Sequence, residues 1–139
     1  MEIGTGYFAK AKEYADAGYA LVSIAKKRPW FLPDTLSVTD YFQLAPTDEI
    51  LELKDNPKDY ENMYNERILS TKSRVHVLVD LDRIAINQGK DKLVLMCYES
   101  PEKFCHRHIV AKWLGELQKE GISEVEIKKN SETEKELML

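Results

Sequence analysis

Two short apolar runs, Tyr19 to Ala25 and Lys92 to Met96, constrain this chain more than any other feature. Each suits a buried strand, and each adjoins a stretch of helical periodicity. Ahead of the first run, Glu2-Ile3-Gly4 begins a short strand, and a helix is predicted from Thr5 or Gly6 to Ala17, closed by Gly18. That is a β-α-β opening. The second run feeds Pro101 to Lys119, a predicted helix that ends at Gly121. Asn56-Pro57 supplies a cap and a first-turn proline for another helix carrying Tyr60, Tyr64 and Arg67. Glu124 to Lys128 is expected to add a last strand. The expected fold is therefore one α/β domain over residues 1–129, a small, mainly parallel sheet flanked by helices, with a charged tail at 130–139.

A chain of 139 residues can bury a core without disulfide staples, and its two cysteines make no disulfide framework. The opening Met1-Glu2-Ile3-Gly4 lacks the basic region and apolar run of a signal peptide, so a reduced, cytoplasmic setting is expected. No stretch approaches the roughly 18 apolar residues that span a bilayer, so no membrane partner is expected. Twenty basic against twenty-four acidic residues give a net charge of −4, which argues against an extended nucleic-acid surface. A small anion is compatible with that balance, and Lys26-Lys27-Arg28 could give it local positive potential.

Chemistry concentrates between residues 97 and 107, where Cys97, Glu99, Cys105, His106 and Arg107 follow the second apolar run. Ser100-Pro101 is a good helix start. On a regular helix Ile109, Val110, Trp113, Leu114 and Leu117 form one stripe, with His106 near its middle and facing inward. Cys105 and Arg107 then flank the stripe, and His108 points away from it as a solvated residue. In an open α/β sheet the crevice at the carboxyl ends of the strands is the usual ligand site, and helix N-termini there favour anions. Taken singly, these residues read as structural: buried cysteines are commonly inert, and an inward histidine or a paired arginine needs no ligand. Their combination at a strand-to-helix junction favours a ligand site.

Leu95-Met96-Cys97-Tyr98-Glu99 followed by Cys105-His106-Arg107-His108 resembles the signature of domain-of-unknown-function family 488, a Cys-x-Glu at a strand end followed by Cys-His-Arg. Thr5 to Lys10 resembles the family's opening segment, with Gly6 where a serine is expected. Val22-Ser23-Ile24-Ala25 resembles its second strand, and Pro29-Trp30-Phe31 the segment after it. Leu44-Ala45-Pro46 and Tyr60 to Leu69 are also similar, so the likeness spans about residues 1 to 128. It implies an α/β fold and a pocket, but no settled reaction. It also favours helix for residues 74–86, where Val75, Val77, Val79 and Leu81 alternate as in a strand while Val75, Leu78, Val79, Asp82 and Ala85 follow helical spacing.

The expected function is an enzyme acting on a nucleotide-like or otherwise phosphorylated metabolite. Glu99 or His106 serves as general acid or base, and Cys97 or Cys105 is a thiolate if a cationic neighbour lowers its pKa. Arg107 and the helix amides hold the anionic group, Tyr98 orients the ligand, and Ser23, Trp30 and Tyr64 are further contact candidates. Trp30 and Phe31 could cover the crevice or equally plug the core. No cofactor is expected. No metal is expected either: Cys97, Cys105, His106 and His108 have suitable atoms, but the spacing is unlike a paired-ligand knuckle and four-ligand closure would require unwinding the first helical turn. A cysteine-phosphatase loop is disfavoured, since Lys103 stands where its arginine belongs and Glu99 would repel phosphate. The alternatives are a ligand-binding or sensor module without turnover, and a protein-interaction domain using Trp30-Phe31.

Overall fold

The computed structural model describes residues 1–99, 104–118 and 121–127. Strands β1 (Glu2–Tyr7), β2 (Tyr19–Ser23), β3 (Val38–Asp40), β4 (Lys92–Cys97) and β5 (Ser123–Glu124) form one sheet in the order β3-β2-β4-β1-β5. Every pairing is parallel. The chain is thus the single small α/β domain that its apolar runs imply.

Why β4 is apolar at consecutive positions follows from its place at the centre, with both faces covered. Leu93, Leu95 and Cys97 point to one side with Ala20, Val22 and Ile24, where they join a core with Tyr64, Val77, Leu81 and Val110. Those partners come from α3 (Pro57–Arg67), α4 (Arg74–Asn87) and α5 (His106–Gly115). Val94 and Met96 point to the other side with Leu21, against Phe8, Ala11 and Tyr14. That face is covered by α1 (Ala11–Asp16) and by Leu32 and Leu36 of the long loop after β2.

The first helix starts later than its periodicity predicts. Thr5 and Gly6 are paired with Leu95 and Met96, so the strand runs on to Tyr7, and a 3-10 turn at Phe8–Lys10 precedes α1. Gly6 is explained by packing: a Cβ there would lie 2.5 Å from the Tyr14 ring. Gly18, at φ 93°, then reverses the chain into β2 as expected.

Residues 74–86 are helical. Val77, Leu81 and Ala85 are buried at four-residue spacing while Val75 and Val79 are exposed, so the alternation there carries no sheet face. Caps set the helix starts: Asn56 Oδ1 accepts from the Asp59 amide and Ser73 Oγ from the His76 amide, each at 3.3 Å. Thr47 does the same for the Ile50 amide of α2 (Asp48–Leu51).

Three further readings are corrected. The helix after β4 starts at His106, with Cys105 an extended cap residue (φ −152°, ψ 148°), although Ser100-Pro101, the expected start, lies outside the described residues. Leu117 lies past its end and is exposed, so it does not join the apolar stripe. The last strand is shorter than expected, although the Val125 amide still donates to the Thr5 carbonyl at 2.8 Å; Lys128 and the tail lie outside the described residues. Among the described residues no helix is long and apolar enough to cross a membrane.

Candidate functional site

The carboxyl ends of β2 and β4 open into a cavity of about 490 Å³. Ala25, Lys26 and Lys27 reach it from the end of β2, and Cys97, Tyr98 and Glu99 from the end of β4. Phe104, Cys105 and His106 close it at the start of α5, while Asp48, Leu51, Lys54 and Tyr60 come from α2, the turn after it and α3. The crevice position is the one that parallel sheets favour for ligands.

His106 is held by a specific hydrogen bond. A carbonyl can only accept, so the 2.7 Å contact with the Ile24 oxygen places the proton on Nε2 and leaves the Nδ1 lone pair facing Cys105 Sγ at 3.8 Å. Desolvation pushes the imidazole down to about 4 and outweighs the support of the Ile24 bond, with smaller downward pushes from the Arg107 and His108 charges. At neutral pH His106 is an uncharged acceptor. The Tyr64 ring lies 5.6 Å away, and its hydroxyl donates to the Leu44 carbonyl at 2.6 Å. Tyr64 therefore backs the histidine and does not line the cavity.

Arg107 is fully buried and also absent from the lining. Its Nε and Nη2 donate to the Glu124 carboxylate at 3.0 Å each, and Nη1 donates to the Glu99 carbonyl at 2.5 Å and to Cys97 Sγ at 3.1 Å. Desolvation raises the Glu124 carboxyl, but hydrogen bonds from Arg107 and Thr5 outweigh it and hold the group below the usual carboxylate range. The anion anticipated for this guanidinium is thus a carboxylate of the protein itself. Arg107 ties the end of β4 to β5.

Glu124 was not anticipated, and no local pattern marks it, since it lies 17 positions from its partner. His108, expected in solvent, is half-buried; its Nε2 is buried with no partner among the described residues, and desolvation lowers its pKa.

Other candidates are dispersed. Ser23 is buried, its Oγ accepting from the Ala25 amide at 3.3 Å, so it shapes the turn after β2. Trp30 is 95% exposed with its ring against Phe31, and neither covers the cavity nor plugs the core. Tyr98 does line the cavity, and its hydroxyl donates to the Lys27 carbonyl at 2.6 Å, fixing the loop that carries Lys26 and Lys27. Lys26 pairs with Asp48. Tyr60, Phe104 and Lys54 join the lining without having been singled out for it.

Cys97 and Cys105 are joined as a disulfide, with Cα atoms 7.1 Å apart. Because the helix begins after Cys105, the two sulfurs and the His106 ring nitrogen gather within 4.8 Å of one another without any unwinding and without His108. The geometric objection to a metal at this junction therefore does not hold for three ligands.

A parallel-sheet domain with a strand-end cysteine, glutamate and histidine facing a crevice is the class that these features define. The family profile described as DUF488-N3a, Active DUF488-N3 subclade, matches residues 21–118, and the chain belongs to the DUF488 family. The match runs from β2 through α5 and includes every residue lining the cavity, whereas β1 and β5 lie outside it. Searches of the curated proteins and of the solved structures find no match.

Proposed function

We propose that the chain is an enzyme acting on a nucleotide-like or otherwise phosphorylated small molecule bound in the cavity at the ends of β2 and β4. The observation that carries this reading is the composition of that one cavity: lysines 26, 27 and 54, aromatic walls from Tyr60, Tyr98 and Phe104, and the Glu99 position together. With Lys26 matched by Asp48, Lys27 and Lys54 supply the positive potential that a phosphoryl group needs. Tyr60 and Phe104 meet edge to face with ring centres 4.9 Å apart, a rigid wall suited to a planar group. A cavity of about 490 Å³ is within the range of small-molecule sites.

In this reading Lys27 and Lys54 hold the anionic group and Glu99 moves the proton, as general acid or base. His106 is a neutral acceptor through Nδ1, and Cys97 and Cys105 form the floor on which the reacting part lies. Arg107 acts through others: it positions Cys97 Sγ and the Glu99 backbone.

Thermal unfolding with a panel of nucleoside monophosphates and sugar phosphates tests the reading. A ligand at 100 times its dissociation constant adds about 2.7 kcal/mol to stability, a clear upward shift. The shift should fall away in the double variant Lys27→Ala, Lys54→Ala, and Glu99→Gln should bind the same compound while losing turnover. No shift with any phosphorylated compound in folded wild type sinks the reading; saturable binding with no product from wild type reassigns the site to a binding module.

A further inference from the structure

We propose that the reduced protein binds a zinc-class divalent cation through Cys97, Cys105 and His106. The site stands on the wall of the cavity but does not depend on what substrate the cavity takes.

The three donors adjoin one another, two of them as the sulfurs of the disulfide, which must part on reduction. Their ligand atoms lie within 4.8 Å of one another, and Cys105 Sγ to His106 Nδ1 is 3.8 Å. Bond lengths of about 2.3 Å to sulfur and about 2.0–2.1 Å to nitrogen at tetrahedral angles place such donors roughly 3.5–3.8 Å apart. Once the bond is reduced, the Cα separation of 7.1 Å leaves the two sulfurs room to part to that spacing.

The surroundings are those of ligands. Metal-bound histidine almost always gives its other N–H to a carboxylate, a backbone carbonyl or water, and Nε2 of His106 gives its proton to the Ile24 carbonyl. The Arg107 guanidinium donates to Cys97 Sγ at 3.1 Å, and its charge is in turn matched by Glu124. Two thiolates and one imidazole form a donor set that selects zinc over magnesium or calcium. All three residues line the cavity, so the remaining coordination position lies on the cavity side, where three-ligand sites take water or substrate.

Reaching the binding state is a balanced reduction. A dithiol reductant delivers two electrons and two protons to the Cys97–Cys105 bond and becomes its own disulfide, leaving two thiols. Cation binding then releases one proton from each thiol to solvent.

The experiment titrates cobalt(II) into dithiol-reduced, oxygen-free full-length protein, then displaces it with zinc. The expected result is one equivalent of cobalt with tetrahedral visible bands and a thiolate-to-cobalt charge-transfer band, both erased by one equivalent of zinc. X-ray absorption of the zinc form should give two sulfur and at least one nitrogen neighbour, a count that needs no variant. Cys97→Ser and His106→Ala, where folded, should each weaken binding by more than the roughly 10–100-fold loss of a second-shell partner. Reduced, folded wild type without a charge-transfer band at equimolar cobalt overturns the proposal, as does a zinc shell with fewer than two sulfurs. Phosphorylated ligands play no part in these readouts, so failure here is separable from failure of the substrate reading.

Discussion

Arg107 meets Glu124 through two parallel hydrogen bonds of 3.0 Å, Nε to Oε1 and Nη2 to Oε2. This fork fixes the guanidinium plane and leaves Nη1 to reach the end of β4. The pair is unequal in its surroundings: the Arg107 side chain is fully buried, while 23% of the Glu124 side chain meets water.

Glu124→Ala should therefore destabilise the protein by about 3 kcal/mol, because an uncompensated buried cation is left behind. The value falls at the low end of the usual range since water reaches the vacated position. Urea unfolding measures it, and a loss below about 1 kcal/mol would show that the guanidinium finds another partner. Arg107→Lys should not rescue the fold, as an ammonium cannot reproduce the fork.

The same pair sets an acid dependence. The Glu124 carboxyl is depressed in the folded protein, so its stabilisation is fully present above the unfolded-state pKa and is lost as the pH falls through the lower folded value. The stability difference between wild type and Glu124→Gln should shrink steadily on acidification below the ordinary carboxylate range. A constant difference across that window would contradict the assignment.

Gly6→Ala should cost about 1–3 kcal/mol, because the new methyl meets the rigid Tyr14 ring at 2.5 Å. The cost should be smaller in a Tyr14→Leu background. A double-mutant cycle reads the coupling directly, and additive effects would place the strain elsewhere.

Trp30→Ala should change stability by no more than about 0.5 kcal/mol, since the side chain is 95% exposed. Binding of any cavity ligand should also be unchanged. A weakened ligand would restore the role as a cover that the tryptophan's place in the sequence suggested.

Much of the fold was legible because sheet and helix impose different periods. The apolar run at Leu93 to Met96 announced a strand covered on both faces, and the Asn56-Pro57 cap announced α3. β3 was missed because its three residues are only half-buried and are held by backbone pairing with β2, with no apolar alternation to read. The inward turn of His106 was legible from the stripe of α5. The position of Cys105 was not, because a cysteine just inside a helix and one just before it look alike in sequence. Arg107 read as a ligand contact for want of any local sign of Glu124, and the carboxylate enters through sheet pairing between Thr5 and residue 124.

That pairing also bears on how the protein is made. Thr5 Oγ1 donates to Glu124 Oε1 at 2.6 Å across 119 positions of chain, one of the widest loop closures in the fold. A chain growing on the ribosome holds both cysteines, His106 and Arg107 before it holds the carboxylate that neutralises Arg107. The partner that neutralises Arg107 is thus among the last residues of the described fold to be synthesised, and its pairing with Thr5 closes the sheet over nearly the whole described chain.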